Sequence, residues 1–469
     1  MTMMSALDEI TGLLREILAA RPGAASPDRT RSAPLGELEE LELEAVATRA
    51  DSRPRIAFFC PNEGLEGNFG NLPAELEARD CEVLWLYGTC SAWRRSNRSG
   101  KWLIVRDMAR RIRGIDAIVT ASVMDCLPPD TLHVLHDHLS FAHFDLEMHI
   151  AHLLATPQLV KRGYASRREM FEELSAFVAF LPFYDLVLTP SPAVTNLTCN
   201  ALCLAGYAPP GCASDRVSSP EISHLVRVAD YRPSVTVAET GYCKLDTPIL
   251  RYADTPTQRL IVYAPTPNDP TGNKSSALWN QAIALNTHGR ELLHALCDRF
   301  PDYRIVFKPY KDERRDLVER IREDCARYPN LEVDECGSDY WPLYARARLL
   351  VSDFSSTAYT FALGTGRPVV FFSPNEADLP EPVRNNTYCR HRSEAGRVAT
   401  TVEALLQSCS DILEHYPEHL ARSARFRDKH LINRGTASAA AAQAILQHLN
   451  ASTAGISNGA SPITLVKTA

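Results

Sequence analysis

Leu349-Leu-Val-Ser-Asp-Phe-Ser-Ser-Thr-Ala-Tyr359, followed by Gly366-Arg-Pro-Val-Val-Phe-Phe372, is the stretch on which the fold turns. Leu349, Leu350 and Val351 form an apolar run of strand type, with Ser352 and Asp353 at its C-terminal end. Ser355, Ser356 and Thr357 then fall where a helix begins, and Ala358, Phe361, Ala362 and Leu363 continue it. Hydroxyls beside the open N–H groups of a helix N-terminus make a natural anion site. Ser and Thr also cap helices without binding anything. The apolar strand that follows Gly366-Arg-Pro makes the whole unit strand, turn, helix and strand. In parallel α/β sheets a turn of this kind opens on the ligand crevice.

The same alternation extends outward in both directions. Downstream of Asp246, strands are expected at Arg259-Leu-Ile-Val-Tyr-Ala-Pro-Thr266, Tyr303-Arg-Ile-Val-Phe-Lys-Pro309 and Leu331-Glu-Val-Asp334, with a helix from about Gly289 to Phe300. Upstream, strand-like runs occur at Pro54–Pro61, Glu82–Tyr87, Ala117–Thr120, Thr131–His136, Tyr184–Thr189 and Ser234–Ala238, and Asn71–Arg79 reads as a helix with Pro in its first turn. Strands alternating with helices imply parallel sheets. The expectation is an α/β chain of two Rossmann-like, doubly wound parallel-sheet domains facing a cleft, over residues 51–246 and 247–450. Residues 1–50 are expected to be a helix, with Leu7, Ile10, Leu13, Leu14 and Ile17 at helical spacing, and a flexible linker. Residues 451–469, rich in Ala, Ser, Thr and Gly, are expected to be a disordered tail.

Composition narrows the partners. The 57 acidic and 50 basic residues leave a net charge of −7, which gives no pull toward nucleic acid. The 13 cysteines are scattered without a C-x-x-C pair. Cys199 and Cys203 share a helix face, but no matching pair follows at zinc spacing, so buried reduced thiols of a cytoplasmic protein are expected. Charges at Asp8, Glu9, Arg15 and Glu16 break the apolar core that a signal peptide needs. No apolar run reaches the roughly 18 residues of a membrane span. Arg94, Arg95, Arg98, Lys101, Arg106, Arg110, Arg111 and Arg113 form a basic cluster, read either as a solvated face or as a surface for anionic lipid or a polyanionic acceptor.

The Ser-Ser unit resembles the donor-binding motif of CDP-glycerol glycerophosphotransferases, which build teichoic-acid and capsule-type polymers on a GT-B scaffold. Leu260-Ile-Val-Tyr-Ala-Pro-Thr-Pro-Asn-Asp269, Gly241-Tyr-Cys-Lys-Leu-Asp246 and Asp339-Tyr-Trp-Pro-Leu-Tyr-Ala-Arg-Ala347 resemble further family elements in the same order. The similarity covers roughly residues 131 to 447. It implies that Ser355, Ser356 and Thr357 hold the donor pyrophosphate. Asp353 is implied to order the turn or contact a hydroxyl. Thr266, Asn268 and Asp269 lie in a polar loop suited to a donor or acceptor contact.

The resemblance also points to a general base. A family histidine corresponds to the His136-Asp-His138 element, and either His136 or His138 is the counterpart, His136 being the preferred one, with Asp137 or Asp145 as orienter. His-x-His equally suits a structural pair or a metal. In Lys308-Pro-Tyr310-Lys311, Tyr310 stands where the family carries a histidine. Tyr donates a hydrogen bond to phosphate but is no imidazolium near neutral pH. Lys308 and Lys311 remain to neutralise a diphosphate, or else flank a surface turn.

The resulting expectation is a transferase that moves a glycerol-phosphate or glycosyl group from a nucleotide-diphosphate donor to a hydroxyl of a glycan, polyol or lipid-linked acceptor. It needs no cofactor, the donor being a substrate. No metal is expected, because no Asp-x-Asp is present to hold one. Work at the inner face of the cytoplasmic membrane fits such an acceptor. The alternatives are a nucleotide-sugar-dependent GT-B glycosyltransferase and a catalytically inactive nucleotide-binding assembly module.

Overall fold

Short runs of Val, Ile, Leu and Phe, apolar on both faces, form the strands of two parallel sheets, as expected where helices cover each side. The computed structural model describes residues 52–61, 65–103, 114–121, 131–137, 141, 147, 181, 184–204, 235–266, 284–310, 315–334, 339–379, 384–453 and 463–467. The described chain divides into two compact units.

One unit is built on β1 (Arg55–Cys60), β2 (Glu82–Tyr87), β3 (Lys101–Leu103), β4 (Ala117–Thr120), β5 (Leu132–His136), β6 (Leu186–Thr189), β7 (Val235–Glu239) and β14 (Ile463–Lys467). These lie in the order β14-β7-β6-β5-β4-β1-β2-β3. Adjacent strands are parallel throughout.

The other unit is built on β8 (Leu260–Tyr263), β9 (Arg304–Phe307), β10 (Leu331–Val333), β11 (Leu349–Ser352), β12 (Val369–Phe372) and β13 (Gly396–Ala399). Their order is β10-β9-β8-β11-β12-β13, again all parallel. The chain winds from β8 outward through β9 to β10, returns to β11, and winds the other way. The order therefore reverses between β8 and β11, where an open parallel sheet forms its ligand crevice.

The units divide after Thr247, next to the expected boundary, but the second does not run on to residue 450 as expected. Residues from Ile432 onward belong with the eight-stranded unit. The helix Ala437–Thr453 buries Ala437, Ala441, Ala442, Ala444 and Ile445 in that unit's core, beside Leu72 and Leu76. Small side chains allow this close approach. Asp246 accepts hydrogen bonds from the backbone N–H of Ala437 (3.2 Å) and Ser438 (2.6 Å), which satisfies the start of the helix from a distant part of the chain. Gly241 has φ +96°, and a Cβ there would stand 2.7 Å from the Ile432 carbonyl oxygen and 2.9 Å from Ala437 Cβ. The Gly241–Asp246 element thus seats this helix. Within residues 451–469, the helix continues to Thr453 and Ile463–Lys467 adds β14 beside β7, so ordered structure replaces part of the expected tail.

Two cations of the basic cluster are engaged locally. The Arg98 guanidinium lies 4.0 Å over the Trp85 ring and pairs with Glu66 at 3.0 Å. Lys101 Nζ donates to the carbonyls of Trp93 and Ser96. Arg106, Arg110, Arg111 and Arg113, like the helix expected within residues 1–50, lie outside the described residues. The described cysteines Cys60, Cys81, Cys199, Cys243, Cys297, Cys389 and Cys409 are buried. Among the described residues, no helix is long and apolar enough to cross a membrane.

Candidate anion-binding site at the switch point

The turn Asp353-Phe354-Ser355-Ser356 leaves the C-terminal end of β11, on one side of the β8/β11 reversal, and enters the helix Thr357–Thr365. Ser356 is exposed and makes no side-chain capping bond, while Ser355 and Thr357 are half-buried. Ser355 Oγ accepts from the Thr357 N–H at 3.3 Å, and the Thr357 hydroxyl lies 2.7 Å from Tyr344 Oη. Hydroxyls and helix N-terminal amides thus converge at the open end of the sheet, a fitting place for an anion.

Asp353, expected to order the turn or contact a hydroxyl, bonds to Thr266, expected as a donor or acceptor contact. Asp353 Oδ1 accepts from Thr266 N at 2.7 Å and from Thr266 Oγ1 at 2.6 Å, and Oδ2 accepts from the Ala284 N–H at 3.2 Å. Asp353 is 2% exposed. Burial pushes its carboxyl up, against the opposing pull of the Thr266 and Ala284 hydrogen bonds. The carboxylate is consumed in joining the β11 turn to the segment after β8 and to the helix Ala284–Arg299. Ser352 Oγ adds a bond to the Ala264 carbonyl at 2.6 Å. The two loops that flank the reversal are therefore tied by side chains.

Sequence reasoning missed Tyr388. Its hydroxyl lies 2.8 Å from the Asp353 carbonyl oxygen and 2.9 Å from that of Ser355. Its ring stacks on Phe354 at 5.7 Å and meets Tyr359 edge-on at 4.9 Å, while the Tyr359 hydroxyl donates to the Tyr388 carbonyl. Arg392 covers the other partner: its guanidinium lies 5.4 Å from the Phe354 ring and is held by Glu376 at 2.5 Å. The only local signal was Asn386, which caps the short helix Thr387–Arg390 by accepting from the Cys389 N–H. Arg367 is likewise structural. Its Nη1 donates to the carbonyls of Tyr344, Ala345 and Ala347.

The expected cations are unevenly placed. Lys308, 8% exposed at the end of β9, donates to the Pro309 carbonyl and stands 3.7 Å from Asp334. Its charge is balanced within the sheet edge. Tyr310 is 46% exposed. In the eight-stranded unit, His136 ends β5 at 1% exposure, its ring 5.7 Å from Phe69. His138, Asp145, Asn268, Asp269 and Lys311 lie outside the described residues.

Residues 248–447 match the family described as CDP-Glycerol:Poly(glycerophosphate) glycerophosphotransferase. No curated protein matches the chain. Among solved structures the chain is similar to the wall teichoic acid polymerase TagF, with a TM-score of 0.54 at 14% identity over 85% of this chain and 90% of that one. A TagF variant soaked with CDPG gives a TM-score of 0.51 at 14% identity, over 88% and 93%. The GT-B class expected from the sequence is borne out by this shared fold, and the family resemblance by the match over the C-terminal half.

Proposed function

We propose that this chain, whose residues 248–447 belong to the CDP-glycerol glycerophosphotransferase family, moves a glycerol-phosphate unit from a CDP-glycerol-type donor to a hydroxyl of a glycan, polyol or lipid-linked acceptor in cell-surface polymer synthesis. The observation that carries this reading is the exposed Ser356 and half-buried Ser355 at a helix N-terminus, on the β8/β11 reversal of the matched unit. The acceptor oxygen bonds to the phosphorus that bears glycerol. The bond from that phosphorus to the bridging oxygen breaks, CMP leaves, and the acceptor proton passes to a base. Ser355, Ser356 and the helix amides would stabilise the charge that develops on the leaving phosphate. They do so without a metal in this proposal. His136 or His138 takes the proton, and the enclosure of His136 favours His138. An acceptor on a lipid carrier would place the work at the inner face of the cytoplasmic membrane.

Calorimetric titration with CDP-glycerol, CDP and UDP-sugars tests the donor. CDP-glycerol should bind best, and Ser355→Ala with Ser356→Ala should weaken it at least about tenfold, or 1.4 kcal/mol. Unchanged affinity in the double variant removes the donor assignment. Tyr310 and the enclosed His136 favour a second reading, a nucleotide-binding module without turnover. Donor binding with no CMP release, unaffected by His138→Ala, selects it.

A further inference from the structure

The cluster His391, Glu394 and His430 plays no part in the anion-binding turn. His391 follows the short helix Thr387–Arg390, Glu394 lies three residues on in Arg392–Ala395, and His430 ends the helix Tyr416–His430. His391 and Glu394 flank Arg392, which covers Phe354 of the turn, while their own side chains meet each other and Glu394 faces His430. We propose that His391, Glu394 and His430 form a binding site for a divalent transition-metal ion of the zinc class.

The geometry supports it. One ligand atom from each residue lies within 4.8 Å of the other two. His391 Nδ1 stands 2.5 Å from Glu394 Oε1, and His430 Nε2 stands 3.8 Å from Glu394 Oε2. The second distance is too long for a hydrogen bond. His430 is 7% exposed, and its Nε2 is buried with no hydrogen-bond partner. A buried ring nitrogen aimed at a carboxylate across such a gap needs something to fill it. Two ligands bound tetrahedrally at about 2.0–2.1 Å from one ion stand about 3.3 Å apart. Each of the two observed separations reaches that value by a shift of less than about 1 Å.

The surroundings fit the chemistry. Two imidazoles and one carboxylate are a donor set for zinc and its neighbours rather than for calcium or magnesium. Phe141 packs edge-on against His391 at 5.1 Å and His430 at 4.5 Å, and Phe426 lies 4.8 Å from His430. These rings fix both imidazole planes. Among the described residues the competing cation is Lys429, whose Nζ lies 3.0 Å from Glu394 Oε2. The ion displaces this ammonium, which sits on a flexible, exposed stem. Bound there, it clamps the entry to β13 onto the end of the helix Tyr416–His430.

The full chain, stripped with a chelator and dialysed, is titrated with Zn²⁺ and, for its visible absorption, with Co²⁺. One ion per chain should bind, and saturating Zn²⁺ should raise the melting temperature by a few degrees. Glu394→Gln and His391→Ala, both at partly exposed positions, should each weaken binding at least about tenfold. Lys429→Met, which removes the competitor and no ligand, should tighten it. Absence of saturable binding, or stoichiometric binding that survives both Glu394→Gln and His391→Ala, overturns the proposal.

Discussion

Asp353 spends a carboxylate on holding two loops together. Replacing it with Asn keeps the size but turns one acceptor into an NH₂ group, which must then face either the Thr266 donors or the Ala284 N–H. Asp353→Asn should cost about 1–3 kcal/mol, the usual penalty for an unsatisfied buried donor, read as a drop in thermal or denaturant midpoint. Tyr388→Phe removes a single hydroxyl from the Asp353 and Ser355 carbonyls. It should lower stability by only about 1 kcal/mol, yet raise the donor KM several-fold with kcat little changed, because the turn loses its fixed position. Equal falls in stability and kcat with KM unchanged would argue for a purely structural tyrosine. The Ser355-Ser356 turn was legible in the sequence because strand, turn and helix are contiguous. Tyr388 was not: its partners lie 33 and 35 residues away, and no periodicity carries such a pairing. Lys308 shows the same limit, since Asp334 reaches it only through the pairing of β9 with β10.

The elements depend on end groups as much as on their apolar faces. The helix Thr357–Thr365 stops at Gly366, whose φ of +67° lets its N–H reach the Ala362 carbonyl at 2.8 Å. A Cβ there would lie 2.5 Å from Arg427 Nη1. Gly366→Ala should cost at least about 1 kcal/mol for the left-handed backbone alone, with the Arg427 contact adding to it. The Gly before Arg367-Pro was visible in the sequence, but Arg427 was not. A second tie joins neighbouring helices. Arg290 and His294 on Ala284–Arg299 meet Asp324 on Arg315–Cys325 at 2.7 and 3.0 Å. The Arg290 hydrogen bond, helped by His294, holds the Asp324 carboxyl below its ordinary range. Its stabilisation is therefore present above the unfolded carboxyl pKa of about 4 and is lost as pH falls through the lower folded value. Since the pair is partly solvated, the effect should stay under about 1 kcal/mol. Asp324→Asn should flatten the acid limb of a stability–pH profile by that amount.

At the scale of the whole molecule, the parallel α/β class followed from the apolar runs alone, and so did most strands. β3, β13 and β14 escaped: β13 mixes exposed with buried residues, and β14 lies in the stretch whose composition reads as a tail. The return of the chain to the eight-stranded unit escaped for another reason: the helix Ala437–Thr453 is Ala-rich, and nothing in its pattern says which sheet it covers. Asp246 does, through bonds 191 and 192 residues long in sequence. Asp246→Ala should uncap that helix and cost about 1–2 kcal/mol, falling on the unfolding of the eight-stranded unit when the two units are followed separately by hydrogen exchange. The return of the chain also sets an order of assembly during synthesis. Residues 248–431 leave the ribosome as a nearly complete unit that can close its own core. The eight-stranded unit, although begun earlier, waits for the helix Ala437–Thr453, made after residues 248–431, to cover Leu72 and Leu76. Until then its apolar flank is a nascent-chain surface for chaperones, so the half made first is the half that finishes last.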